Sequence, residues 1–340
     1  MTRASTLKLF LLTIIAGHTA LAAQPRKLII DCDPGIDDAI ALILAMQSPD
    51  LEILGITTTF GNVKVEQATE NALRIVELSG KSISVYQGAD KPLSVPLRPP
   101  PDFVHGKDGL GNTGQPEPTT KAQSKPAAQF LVETAKACPG EVTILAVGPL
   151  SNLAEALRQD SGFARNVREV VLMGGALYVP GNVTPVAEAN IYGDPHAADM
   201  VFTAPWKVTM IGLDVTTEVK LSDEMLSRIK AQNKTFGPFI WAISRFYADF
   251  HRQEHITGGI YPHDPSAVVY LVEPGIYRTK QGPLRVVCEG IAVGQTIMAA
   301  YSYQFQQPPW KDQPMVTAAV TIDTNRFQNA IEQLLIGDRR

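Results

Sequence analysis

The sequence predicts a single α/β domain with a mostly parallel central sheet flanked by helices, and three observations carry that reading. Apolar runs of strand length alternate with stretches of helical spacing through most of the chain. Polar clusters follow directly on several of the strand-like runs, where ligands bind at the carboxyl edge of a parallel sheet. No long polar linker or fixed-period repeat divides the 340 residues, 45% of them hydrophobic, so one large core suffices.

The first segment stands apart from that core. Arg3 and Lys8 precede an apolar run from Leu9 to Ala16, and Ala20-Leu21-Ala22 offers a small-x-small cleavage site, the pattern of a secretory signal peptide over residues 1–23. A membrane span needs roughly 18 or more uninterrupted apolar residues, and Gly17-His18-Thr19 breaks the run. The expected mature chain, 24–340, is therefore exported, periplasmic or secreted, with no membrane association after cleavage. Loss of Arg3 and Lys8 takes the formal charge from −4 to −6. The remaining Lys and Arg form no basic stripe, which argues against a nucleic-acid partner. Cys32, Cys138 and Cys288 are too few and too scattered for a disulfide framework or a zinc site; an oxidising compartment would permit a Cys138–Cys288 bridge without requiring it.

Leu28-Ile29-Ile30 is the first strand, and Ala39 to Met46 lies in the first helix. Between them stands Asp31-Cys32-Asp33-Pro34-Gly35-Ile36-Asp37-Asp38, in which Pro34-Gly35 makes the turn and Asp37 or Asp38 is expected to cap the helix. Cys32 alternates with Asp31 and Asp33 and is expected to point into packing. Four carboxylates within eight residues repel one another, and a bound cation makes them tolerable. Leu51 to Thr59 reads as a second buried strand, Val65 to Leu78 as a helix and Ile83 to Tyr86 as a short strand. The Pro- and Gly-rich stretch from Ala89 to Lys125, carrying His105, is too long for a plain connection and reads as a loop over a site.

Regularity returns with the helix Ala127 to Ala137 and the strand Val142 to Val147, which closes on the tight turn Gly148-Pro149-Leu150-Ser151-Asn152. Glu169 to Met173 is the next strand, ending at Gly174-Gly175. A polar loop through Asn182, Glu188 and Asn190 leads to a helix start at Asp194-Pro195, and Lys207 to Leu213 is a further strand. Phe239 to His251 is an aromatic-rich helix whose rings are mostly core. His263-Asp264-Pro265 opens another helix, and the chain finishes with strands Leu284 to Cys288 and Val316 to Ile322 and a helix from Thr324 to Ile336.

An EF-hand beginning at Asp31 would need Gly and Glu where the chain has Ile36 and Leu42. A phosphatase with an aspartyl nucleophile stays open on these residues, although Pro34-Gly35 stands where such sites carry a hydroxyl side chain. The pattern DxDPGxDD after an apolar strand resembles the calcium-dependent, inosine-uridine preferring nucleoside hydrolases, which split ribonucleosides into base and ribose. The resemblance extends from about Lys27 into the last third of the chain.

That resemblance implies calcium held by Asp33, Asp38, Asp264 and the main-chain carbonyl of Val147, where relatives often have Thr. It implies Asp33 as the base that activates a calcium-bound water and His263, in protonated form, as the acid for the leaving base. Asp37, Asn62, Asn182, Glu188 and Asn190 are implied as ribose-hydroxyl partners and His105 as a base contact, with Tyr247 and His251 weaker candidates for the same task. Ala189 stands where the family frequently has an aromatic. A homodimer or homotetramer is also implied. Two rival readings are a periplasmic nucleoside-binding protein without turnover and the metal-dependent aspartyl phosphatase.

Overall fold

In the computed structural model, which describes residues 24–299 and 305–337, nine strands form one sheet. They are β1 (Arg26–Cys32), β2 (Leu51–Thr58), β3 (Val85–Gln87), β4 (Val142–Ala146), β5 (Val167–Met173), β6 (Val208–Ile211), β7 (Tyr277–Val286), β8 (Thr296–Met298) and β9 (Met315–Ile322). Their spatial order is β3-β2-β1-β4-β5-β6-β9-β7-β8. The first seven in that order run parallel, whereas β7 pairs antiparallel with both β9 and β8.

Strand alternation divides the core into two layers. Leu28, Ile30 and Cys32 of β1, Val171 and Met173 of β5 and Ile211 of β6 pack on one face. Ile29, Val170, Leu172, Val208 and Met210 pack on the other. A parallel sheet covered on both sides reads as a continuous apolar run, which is why these strands stand out in the sequence. The helix Ile36–Gln47 lies on the first face with Ile36 through Met46 all buried.

The chain builds outward from β1 to β2 and β3, then returns to β4 and builds the other way. The reversal between β1 and β4 leaves a crevice at their carboxyl ends. Asp31 pairs with Ala146 of β4 and with Thr57 of β2, so the acidic motif emerges over that crevice.

Several expectations need correction. Gly35, not Asp37 or Asp38, is the N-cap residue of the first helix; Asp38 sits three residues on and reaches back to accept the Gly35 N–H at 3.1 Å. Of the expected strand Leu284 to Cys288, only Leu284 to Val286 is strand, the end of the ten-residue antiparallel β7, whose first half, Arg278 to Gln281, is polar and exposed. The helix Asp223–Gln232, for which the sequence analysis predicts no element, buries Met225, Leu226 and Ile229 and is capped by Ser222, whose Oγ accepts the Met225 N–H at 3.1 Å. All three cysteines are free: Cys32 is buried, and the Sγ atoms of Cys138 and Cys288 lie against Lys27 and Pro195 respectively. The proposed signal segment lies outside the described residues. No described helix is long and apolar enough to cross a membrane.

Candidate active site

Five strand ends and two helix starts bring the polar residues together. Asp33 leaves β1 almost fully buried, and its Oδ2 accepts the backbone N–H of Asn62 at 2.6 Å. Asp38 Oδ1 accepts the Asp33 N–H at 3.1 Å, and Asp38 Oδ2 accepts from Asn62 Nδ2 at 2.9 Å. Asn62, expected on the sugar, therefore also clamps two carboxylates. Glycine keeps the space around Asp33 open. A Cβ on Gly148 would stand 2.6 Å from Asp33 Oδ1, and Gly61, at φ +153°, would drive one into Oδ2.

Asp37 and Asp38 occupy the first turn of Ile36–Gln47, and Asp264 the first turn of the helix His263–Val272. Two helix N-termini thus present their positive ends to the acidic group. Oxygens of Asp37, Asp38 and Asp264 all lie within 4.8 Å of one another. Burial first, then neighbouring carboxylates, push the proton affinities of Asp33, Asp37 and Asp264 well up; burial also raises that of Asp38, against the hydrogen bonds it receives. Asp33 Oδ1 and Asp37 Oδ1 are buried with no hydrogen-bond partner.

These residues fit a cation. The donors are oxygens, carboxylates with the Val147 carbonyl nearby, which suits a hard ion such as calcium or magnesium. The Cys32 thiol is directed at Thr57 O, 3.7 Å away. The tightest cluster contains Asp37 where the sequence suggests Asp33, while Asp33 contributes an unpartnered oxygen beside it.

Asn190 Nδ2 donates to Val147 O at 2.9 Å and to Met173 O at 3.2 Å, tying the ends of β4 and β5 together. Glu188 caps the short helix Ala189–Gly193. Its Oε1 takes the Asn190 N–H at 2.9 Å, and its Oε2 takes those of Gly175 at 2.9 Å and Ile191 at 3.1 Å. Asn182, exposed at the mouth, accepts the Ala189 N–H at 3.0 Å. The last two residues combine the sugar-facing position implied by the sequence with a structural bond. With Asp37, Asn62, His105, Val147, Asn190, His263 and Asp264 they line one cavity of about 1000 Å³. Asp33 and Asp38 lie beneath its floor.

Aromatic and imidazole rings form the opposite wall. His105 lies 5.5 Å from Tyr247, Tyr247 4.2 Å from His251, His251 5.1 Å from Tyr261 and Tyr261 5.5 Å from His263, between ring centroids. The long loop after β3 delivers His105, whose Nδ1 accepts the Ile36 N–H at 3.1 Å and so fixes its proton on Nε2. Burial, with His251 nearby, lowers its pKa to about 3. Burial, His251 and His105 likewise lower His263 to about 3. These surroundings favour the neutral form of the His263 ring over the charged one.

Sequence reasoning left Asp31 and Asn152 without a role. Asp31 is fully buried; its Oδ1 accepts from Thr57 Oγ1 at 2.5 Å and Asn152 Nδ2 at 2.7 Å, and burial raises its pKa to about 7. Asn152 also donates to Thr58 O and accepts from the Ala89 N–H, joining the ends of β1, β2 and β3. The turn containing Asn152 is visible in the sequence, but its partners are not.

A doubly covered sheet with carboxylates under one side of a cavity and aromatic and imidazole rings along the other, at its topological reversal, is an arrangement that binds a small ligand. The chain matches, over residues 28–329, the family described as inosine-uridine preferring nucleoside hydrolase, and it belongs to that family. It is 45% identical over 300 residues to uridine nucleosidase 1 of Arabidopsis thaliana, covering 88% of this chain and 89% of that one. It is 36% identical over 308 residues to the inosine-uridine preferring nucleoside hydrolase of Leishmania major, covering 89% and 95%. A solved plant nucleoside hydrolase superposes with a TM-score of 0.87 at 39% identity, covering 92% of this chain and 99% of that one. The protein is thus a nucleoside hydrolase, an enzyme that cleaves N-glycosidic bonds.

Proposed function

We propose that this enzyme is an exported, calcium-dependent ribonucleoside hydrolase acting on uridine and inosine by direct attack of water at the anomeric carbon. The observation that carries the reading is the pair of buried, unpartnered carboxylate oxygens, Asp37 Oδ1 on the floor of the cavity and Asp33 Oδ1 beneath it, at a cavity whose far wall bears neutral imidazole donors. Identity to the uridine nucleosidase supports the choice of uridine, the family's own preference adds inosine, and the N-terminal pattern over residues 1–23 supports export. The family resemblance supports a dimer or tetramer.

Asp33, Asp38 and Asp264, with the Val147 carbonyl, would hold the cation, and Asp37 lies close enough to share it. Calcium, when bound, supplies the positive charge that lets these carboxylates stay ionised together and polarises the oxygens around it. Asp37, Asn182, Glu188 and Asn190 orient the ribose through its hydroxyls, and the carboxylates stabilise the positive charge that develops on the sugar ring. Asp33 Oδ2 is held by the Asn62 amide, so Oδ1 is free to take a proton from the attacking water. Electrons of the broken C–N bond pass to the base, and His263 Nε2 donates to it as that charge grows. The wall around His105, Tyr247 and His251 receives the base.

Removing the cation tests this assignment. Chelation to a verified metal-free state is expected to lower Tm, because binding energy is linked to the folded state, and to abolish ribose release; calcium restores both. Full activity and unchanged Tm in the metal-free enzyme would contradict it.

A further inference from the structure

Two threonines side by side after β6 behave differently. A threonine hydroxyl in a helical turn ordinarily bonds back to a carbonyl three or four residues earlier. Thr217 does so, its Oγ1 donating to Leu213 O at 2.7 Å. Thr216, at the end of the one-turn helix Leu213–Thr216, does not. Its side chain is fully buried, and its Oγ1 lies 2.8 Å from Nδ1 of His263. Among the described residues no other hydrogen bond involves this hydroxyl, so its proton has one acceptor, the ring nitrogen. A neutral imidazole that accepts at Nδ1 carries its proton on Nε2, the nitrogen left free for the cavity that His263 lines. Tyr261, whose ring lies 5.5 Å from that of His263, borders the imidazole but offers no hydrogen bond to it among the described residues.

We propose that Thr216 is a positioning residue for the reaction: its hydroxyl fixes the plane and tautomer of His263, so that Nε2–H is the group the departing base meets. The inference rests on the reading of His263 as the leaving-base donor. The same hydroxyl can turn and accept if Nδ1 gains a proton, so it holds the ring in one place in either state. Thr216 touches neither substrate nor cation; it acts through His263.

The test compares Thr216→Val, which keeps the shape and removes the hydroxyl, with Thr216→Ser, which keeps the hydroxyl. Each is assayed on inosine and on 4-nitrophenyl riboside, whose leaving group is a stable anion and needs no donor. Thr216→Val is expected to lower kcat on inosine about 10- to 100-fold, a part of the usual general-acid contribution, and to leave the nitrophenyl substrate within about threefold of wild type. Thr216→Ser is expected to recover inosine cleavage to within about threefold. In a His263→Ala background, Thr216→Val should add nothing further, since the two residues act as one unit. Wild-type kcat on inosine in the Val variant, or equal losses on both substrates, overturns the proposal. If His263→Ala itself slows both substrates equally, the reading of His263 falls and this inference with it; if His263→Ala separates the substrates and Thr216→Val does not, only the role of Thr216 falls. Should the Val variant fail to fold, nitrogen-15 spectra of the native enzyme's histidines decide. A His263 ring protonated at Nε2 supports the assignment, and one protonated at Nδ1 overturns it.

Discussion

Replacing Asp33 with Asn is expected to lower kcat for nucleoside hydrolysis by about 10²–10⁴-fold, the usual scale for a lost general base, with a smaller change in KM. Asn preserves the shape of the side chain and keeps one of its two oxygens, which can accept the Asn62 N–H or face the cation but not replace both carboxylate oxygens. It removes the basic oxygen. The carboxylate fits there because Gly61 and Gly148 carry no Cβ beside it. Steady-state kinetics alongside a calcium-binding titration make the check. Near wild-type kcat at saturating calcium together with weakened calcium binding would show that Asp33 is a ligand and not the base.

His263→Ala is expected to slow inosine cleavage by about 10²–10³-fold, consistent with loss of a leaving-group donor. Hydrolysis of 4-nitrophenyl riboside by the same variant should stay within about tenfold of wild type, roughly 1.4 kcal/mol of barrier. The contrast separates proton donation from positioning of ribose or cation, whose loss slows both substrates alike. Equal losses would assign His263 to binding and pass the donor role to His105, whose Nε2–H is likewise fixed by the bond from Ile36, or to His251.

The fold was legible in the sequence where the sheet is buried on both faces. β1, β2, β4 and β5 each contain a run of buried, largely apolar residues, and the polar residues that follow them mark the crevice because the chain reverses direction between β1 and β4. Legibility failed at the sheet's antiparallel edge. Half of β7 is polar because that half is exposed, and β8 has only three residues, so neither carries the buried-strand pattern.

Within the site, the carboxylates and His263 were visible because several charged or titratable residues stood together in short motifs. Thr216, Asn152 and the second task of Asn62 were not, since each is defined by a partner distant in sequence: Thr216 by His263, Asn152 by Asp31 and Ala89, Asn62 by Asp33 and Asp38. A single Thr or Asn in a turn carries no pattern of its own. The lowered pKa of His263 was equally hidden, because it follows from burial beside two other imidazoles.

The central claim is that this cavity turns over nucleosides by water attack, and the most direct measurement is the yield of free base and free ribose from uridine and inosine with purified enzyme and calcium. The account predicts base and ribose in equal amounts over many turnovers, with no release of phosphate from phosphorylated sugars under magnesium. Nucleoside bound but recovered intact would make the protein a binding protein, and phosphate release without ribose release would make it a phosphatase; either result would contradict the account.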